Sequence, residues 1–401
     1  MSTGPGEQEA QTTGRSVVAF GDDVGGSRDL IGETLRSIAG IANVVLASDH
    51  RAGAPEPDAA AGAEAIVFDT LGVALVAREP SALAASISSA GAPGAAIVAV
   101  EPERVMHAIA VEDTVAAAQF ADDDAFTWGL RATAVDASSA TGRANRGAIL
   151  DTGLDFKHPD FAERSVTARS FVAELSARDG QGHGTHCTGT ACGSPAPPTG
   201  RRYGIASEAE IFAGKGLDDT GAGTDESILA GIEWAITNGC RIISMSLGAD
   251  IVSTAYETVG RRALAAGTLI VAAAGNNARR ASGERGFVGV PANSPSIMAV
   301  AAVDADLRVA DFSAGDNPVE GGQIDLAGAG GDVHSSWPLP QRNNTISGTS
   351  MATPHVAGIA APWSQRADAR GQALWDALMQ GARSLDLPPA DIGAGPVQAP
   401  D

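Results

Sequence analysis

Apolar residues recur along the chain in two patterns, and the change falls near residue 110. In the first part, Ser16–Phe20 is an apolar run of strand length. Leu30, Ile31, Leu35, Ile38 and Ile41 then repeat at helical spacing. Val44–Ser48, Ala65–Phe68 and Ala74–Arg78 read as strands, the last two as a hairpin. Between them Arg51–Glu64, rich in Ala, Pro and Gly, reads as a loop. Ser81–Ser89 reads as a helix with Ser81 as its cap, and Ala95–Val100 as a closing strand. The order β-α-β-β-α-β predicts a small α+β sandwich.

After residue 110 the pattern is different. Gly147–Leu150, Ala209–Ala213, Arg241–Ser246, Thr268–Ala273 and Ile297–Val303 are near-continuous apolar runs. Helical patterns lie between them, notably Asp225–Thr237 and Ser253–Ala266. Buried strands alternating with helices predict an α/β fold with a doubly wound parallel sheet, covered on both faces. Chemistry in such sheets sits at the carboxyl ends of the strands. Residues 1–15 are polar and read as a disordered tail. The chain thus divides into 1–15, 16–109 and 110–401.

Composition narrows the function classes. Of the 401 residues 44% are hydrophobic and 19% charged, which excludes disorder of the whole chain. Only 4% are aromatic, so Ala, Val, Ile and Leu must build the core. The formal net charge of −21 argues against nucleic acid as a partner. No apolar run reaches the roughly 18–20 residues that cross a bilayer, so no membrane partner is expected. The polar first fifteen residues carry no export signal. By that reading the protein is cytoplasmic, or extracellular if a signal peptide was removed. Cys187, Cys192 and Cys240 are too few for a disulfide framework and read as small buried residues.

Four positions carry candidate chemistry. Asp151 ends an apolar strand in GAILDTGLD, where a turn cap would be the plain alternative. His183 lies in GHGTHCTG, which lacks the glutamate and spacing of a zinc protease motif. Asn276 follows a buried strand in VAAAGNN, and Ser350 lies in SGTSMATPHVAG just before an apolar helical run. Each alone has an ordinary structural explanation. Together they supply a nucleophile, a base, a carboxylate to orient the base and an oxyanion donor, the set that amide hydrolysis needs.

DTGLD, HGTHCTGT, MSLG, AAAGNN and SGTSMATPHVAG closely resemble the motifs of the subtilisin-like serine proteases, the subtilases, with HGTHC closest to the proteinase K branch. The chain order Asp, His, Ser is also that of subtilisin. The resemblance implies a serine endopeptidase acting on polypeptides through an acyl-enzyme, with Ser350 as nucleophile, His183 as base, Asp151 as its orienting partner and Asn276 as an oxyanion donor. His158, His186, His355, Asp155 and Asp160 match structural positions. Gly221, Ala222, Gly223, Ser246, Leu247 and Gly248 resemble the two strands that clamp a peptide. Ala273, Ala274 and Gly275 resemble one wall of the primary pocket and Gly289 its floor, with no acidic residue there. No cofactor is required; structural calcium is left open, since Asp160 and Asp325 match family ligands but the Asn-rich loop of the strong site is missing.

The resemblance also implies that residues 16–109 are a propeptide, acting as folding aid and intramolecular inhibitor, with self-cleavage between Ile109 and Ala110. Cleavage after Met106 or near Phe120 are alternatives. Two other readings stay open: a processing protease for one partner inside the cell, and a non-catalytic peptide-binding protein. Pro362 is expected to shorten or kink the helix after Ser350.

Overall fold

The structure is a computed structural model, and it describes residues 11–50, 55, 62–90, 96–111, 119–198, 200–316 and 322–401. Residues 1–10 and most of the loop Arg51–Glu64 lie outside the described residues.

The N-terminal unit runs β1 (Thr12–Phe20), α1 (Asp22–Gly25), α2 (Arg28–Ala39), β2 (Val44–Leu46), β3 (Ala65–Phe68), β4 (Val73–Val76), α3 (Pro80–Ala90) and β5 (Ile97–Ala108). The order β-α-β-β-α-β is extended by one short strand: β2 adds parallel to β3, and β3 and β4 pair antiparallel. Several boundaries differ from the sequence pattern, three of them with a visible cause or consequence. β1 starts at Thr12, inside the stretch read as tail, because Thr12 pairs with Arg104 and Arg15 is clamped by Glu103 and Glu226, each at 2.6 Å. Ser81 lies inside α3, which begins at Pro80, a residue whose fixed φ suits a first turn. β5 continues eight residues beyond Val100, to Ala108.

Period-two alternation splits this sheet into two faces. Val18, Phe20, Ala65, Val67, Ala74 and Val76 pack on the unit's own helices. Val17, Ala19, Ile66, Phe68, Val73 and Leu75 join the core of the larger unit.

The larger unit contains α4 (Trp128–Ala132), β6 (Arg146–Asp151), β7 (Val166–Ser170), α5 (His183–Cys192), β8 (Glu210–Lys215), β9 (Ala222–Thr224), α6 (Asp225–Thr237), β10 (Ile242–Met245) and β11 (Leu247–Gly248). It continues with α7 (Thr254–Ala265), β12 (Leu269–Ala273), β13 (Met298–Val303), β14 (Leu326–Ala329), β15 (Val333–Ser336), β16 (Asn343–Ile346), α8 (Thr349–Ala367), α9 (Gly371–Gly381) and α10 (Pro389–Ile392). Seven parallel strands lie in the order β14-β13-β12-β10-β6-β8-β7. The chain builds to one side of β6 and then to the other, so the direction of winding reverses beside the strand that ends in Asp151. Crevices at such reversals are where α/β sheets bind ligands.

The helix after Ser350 departs from expectation. α8 runs unbroken for 19 residues with Pro354 and Pro362 inside it. Every residue from Thr349 to Pro362 is buried, and Gly358 lets the helix pass close to Ala191 and Ile205. Tertiary packing on β10, β12, β13 and β14 overrides the local cost.

Candidate active site

Asp151 stands at the carboxyl end of β6, and His183 is the first residue of α5. His183 Nδ1 lies 2.8 and 3.0 Å from the two oxygens of Asp151. A second carboxylate builds this helix start. Asp179 accepts hydrogen bonds from Gln181 N, Gly182 N, Thr185 N and Thr185 Oγ1, and from Thr152 Oγ1 beside Asp151. Thr152 Oγ1 in turn accepts from Gly184 N at 2.8 Å. Gly182, at φ +117°, has room for no side chain, because a Cβ would collide with the Trp337 indole. The end of β6 and the start of α5 are thereby fixed to each other.

Burial alone would lower the proton affinity of His183. The adjacent Asp151 carboxylate outweighs it, and the pKa is raised well above the usual imidazole value. His186 has no carboxylate partner; burial pushes it down to about 3, and its Nε2 meets Val333 O at 3.0 Å. His158 and His355 are likewise tied to backbone carbonyls, of Arg342 and Met351. Asp155 accepts from Lys157 N and Leu339 N.

All three cysteines are buried and free. Cys187 Sγ sits 3.7 Å from His183 Nδ1, and Asp151, His183 and Cys187 cluster as metal ligands can. Burial pushes the Cys187 thiol up to about 11.

Ser350 is the second residue of α8, after Gly348 at φ +154°. Its Oγ donates to Ser246 O at 3.1 Å, and Ser246 Oγ donates back to Ser350 O at 2.7 Å. His183 Nε2 is buried with no hydrogen-bond partner among the described residues. Asn276 is oriented by Thr349, whose N–H and Oγ1 both donate to its Oδ1, at 2.9 and 2.8 Å. That leaves Asn276 Nδ2 pointing at Ile109 O, 3.3 Å away.

Ile109 arrives there along the chain itself. Val105, Met106 and His107 pair antiparallel with Thr224, Gly223 and Ala222 of β9, and Ala108 N donates to Gly221 O. On the other side His107 and Ala108 face Gly248 and Leu247 of β11. Beyond the junction, Val111 exchanges both backbone hydrogen bonds with Ser347. A Cβ on Gly348 would lie 3.0 Å from Ile109 O and 3.3 Å from Ala110 Cα, so only glycine lets the chain pass this close. The Ile109 side chain points to Gly248, and Met106 is fully buried.

The clamp residues Gly221–Gly223 and Ser246–Gly248 therefore flank one extended segment, with Asp151, His183, Asn276 and Ser350 gathered at its end. Ala273 ends β12, Ala274 and Gly275 follow it, and Gly289 N donates to Ala274 O. One point differs from the sequence reading of the pocket floor. Asp250 Oδ1 lies 3.5 Å from where a Cβ on Gly289 would stand, held by Asn277 Nδ2 at 2.8 Å. A cavity of about 550 Å³ opens on β9 between Arg15, Val105, Phe171 and Glu226, but none of the four chemical residues lines it.

The subtilase family model matches residues 148–394. The chain belongs to the subtilase family. Membership makes it a serine-type endopeptidase, a hydrolase. It is 38% identical to Subtilisin DY of Bacillus licheniformis over 233 residues, 58% of this chain and 81% of that protein. It is 39% identical to Subtilisin E of Bacillus subtilis (strain 168) over 234 residues, 58% of each chain. A thermostable alkaline protease of Halalkalibacterium halodurans is 42% identical over 221 residues, 55% of this chain and 56% of that one. The match thus spans little more than half the length of the second and third of these relatives.

Two positions resemble subtilase calcium ligands, and both carry protein contacts. Asp160 Oδ2 takes the Tyr203 hydroxyl, beside His158. Asp325 accepts from Ala299 N, and burial pushes it up to about 7.

Thr349 and Asp179 escaped the sequence reading. Thr349 stands next to Ser350 in GTS, where a hydroxyl reads as an ordinary first-turn residue. Asp179 precedes a helix start in DGQGH, a cap pattern that could have flagged it.

Proposed function

We propose that this subtilase is made as a self-processing zymogen, with residues up to Ile109 as its inhibitor and Ile109–Ala110 as its first substrate bond. The reading rests on one observation: Ile109 O accepts a hydrogen bond from Asn276 while the five residues before the bond, Val105–Ile109, run between β9 and β11. An extended peptide added as a middle strand gains affinity from its backbone and selectivity from alternate side chains.

In the reaction Ser350 Oγ swings from Ser246 O towards His183 Nε2. It attacks the Ile109 carbonyl carbon as its proton passes to that nitrogen. Asn276 Nδ2 and the Ser350 N–H hold the tetrahedral oxygen. Asp151 steadies the imidazolium and its tautomer. Collapse breaks the bond to Ala110, whose amine takes the proton from His183. Water, deprotonated by the same imidazole, then hydrolyses the Ser350 ester and frees the Ile109 carboxylate. Other polypeptides follow the same path once the segment leaves.

Ser350→Ala decides the matter. Purified from a protease-deficient host, the variant is expected to stay full length, while the wild type yields a large fragment beginning at Ala110 by N-terminal sequencing. A variant that still matured would remove Ser350 as nucleophile. A wild-type fragment beginning elsewhere would move the junction.

A further inference from the structure

β9 ends at Thr224, where the chain turns into α6, but β5 continues. Val105 pairs with Thr224, the last residue of β9. Arg104 faces Thr12 of β1 on one edge, but on the β9 edge its N–H lies past the end of the strand. It is met by a side chain: Asp225 Oδ2 accepts it at 2.8 Å. The other oxygen, Oδ1, accepts from Tyr256 OH at 3.0 Å. Asp225 is 1% and Tyr256 2% exposed, so this carboxylate is held out of water by two donors, one of them supplied by the segment in the groove.

Counting back from Ile109 as the first residue, Arg104 is the sixth. We infer that Asp225 is a specificity-determining residue that selects substrates extending at least six residues on the acyl side, by accepting the backbone N–H of the sixth. This rests on the reading that Val105–Ile109 lies where substrates lie. The recognition is of main chain, so it tolerates any sixth residue that carries an N–H and excludes proline. The acceptor is charged at neutral and alkaline pH: burial pushes Asp225 up to about 6. A charge-assisted hydrogen bond from a desolvated group is stronger than the alternating pairs along β9. A shorter peptide lacks the N–H that Asp225 accepts from Arg104 here.

Three acetylated peptides test this at pH 8, with the acyl-side sequence Val-Met-His-Ala-Ile and a fluorogenic leaving side. The sixth position holds alanine, proline or lactic acid, the last replacing the N–H by an ester oxygen. The enzyme is the full chain after it has become active. The alanine peptide is expected to exceed the other two in kcat/KM by about tenfold or more. Asp225→Ala combined with Tyr256→Phe, which removes the acceptor without orphaning the hydroxyl, should bring the ratios to one. Equal rates for the three peptides in the wild type overturn the inference, as does an undiminished ratio in the double variant. If that variant does not fold, the three wild-type rates decide alone. Failure of the groove reading is separate: then the wild type would cleave none of the three, or Ser350→Ala would cleave them too.

Discussion

His183 and His186 lie three residues apart on α5, both buried, yet one ring is driven towards protonation and the other away from it. Burial acts alike on both; the difference is the Asp151 carboxylate at 2.8 Å from His183. A base must be neutral to take the Ser350 proton, so activity rises with pH through the His183 pKa. That pKa is raised, which places the midpoint of the rise above the usual imidazole value. Asp151→Asn removes the charge that raises it. The midpoint of kcat/KM against pH should move down by about one unit or more, and kcat should fall by about 10⁴-fold as the tautomer is lost. A profile that keeps its midpoint would deny Asp151 its electrostatic role. At this scale the candidate site was legible in the sequence because its residues stand in compact motifs. Thr349 and Asp179 were not, because what they do depends on residues that folding brings to them, Asn276 and Thr152.

Among the elements, β5 shows why a strand can be missed. After Val100 come Glu101, Pro102, Glu103 and Arg104, a charged stretch with a proline that reads as a strand end. The carboxylates are there because two helix N-termini face them. Glu101 accepts from Ser253 Oγ at 2.6 Å and Thr254 N at 2.7 Å, at the start of α7, and Glu103 accepts from Glu226 N at 3.1 Å, at the start of α6. Their partners lie far along the chain, beyond the reach of periodicity. In the opposite direction, Glu233 on α6 accepts Thr70 N and Leu71 N of the β3–β4 turn. Burial pushes this carboxyl from 4.5 up to about 7. A raised pKa means that the docked state holds the proton more tightly, so docking is strongest below 4.5 and weakens as pH rises towards 7. The N-terminal fragment should therefore bind the processed enzyme more weakly at pH 8 than at pH 5, by roughly tenfold or more. Glu233→Gln keeps an acceptor but cannot titrate, and should reduce that dependence. Dissociation constants at the two pH values, read by direct binding because hydrolysis stops at pH 5, measure both, and a wild type with no difference would contradict the argument.

For the whole molecule, the decisive feature is a core shared across the two units. Val17, Ala19, Ile66, Phe68, Val73 and Leu75 pack with Val259, Tyr256 and Ile232 of the two surface helices in one continuous cluster. The apolar runs of the N-terminal strands leave both faces of their sheet apolar; the sequence does not tell that the second is covered by α6 and α7, because both helices also carry the apolar stripe their own sheet needs. Arg262 of α7 adds a fitted contact, entering where Gly25 and Gly72 leave no Cβ in its way. Breaking the bond between Ile109 and Ala110 removes none of these contacts. The two fragments should then remain together, since each buried apolar side chain resists exposure by about 1.5–3 kcal/mol and the strand Val105–Ile109 stays paired on both edges. The processed chain is expected to elute from a sizing column as one species containing both fragments. Hydrolysis of a small peptide should stay suppressed until the N-terminal fragment is itself degraded, which gives a lag that shortens when mature enzyme is added. Separation of the fragments on the column, with full activity at the moment of cleavage, would mean that the shared core does not outlast the covalent bond.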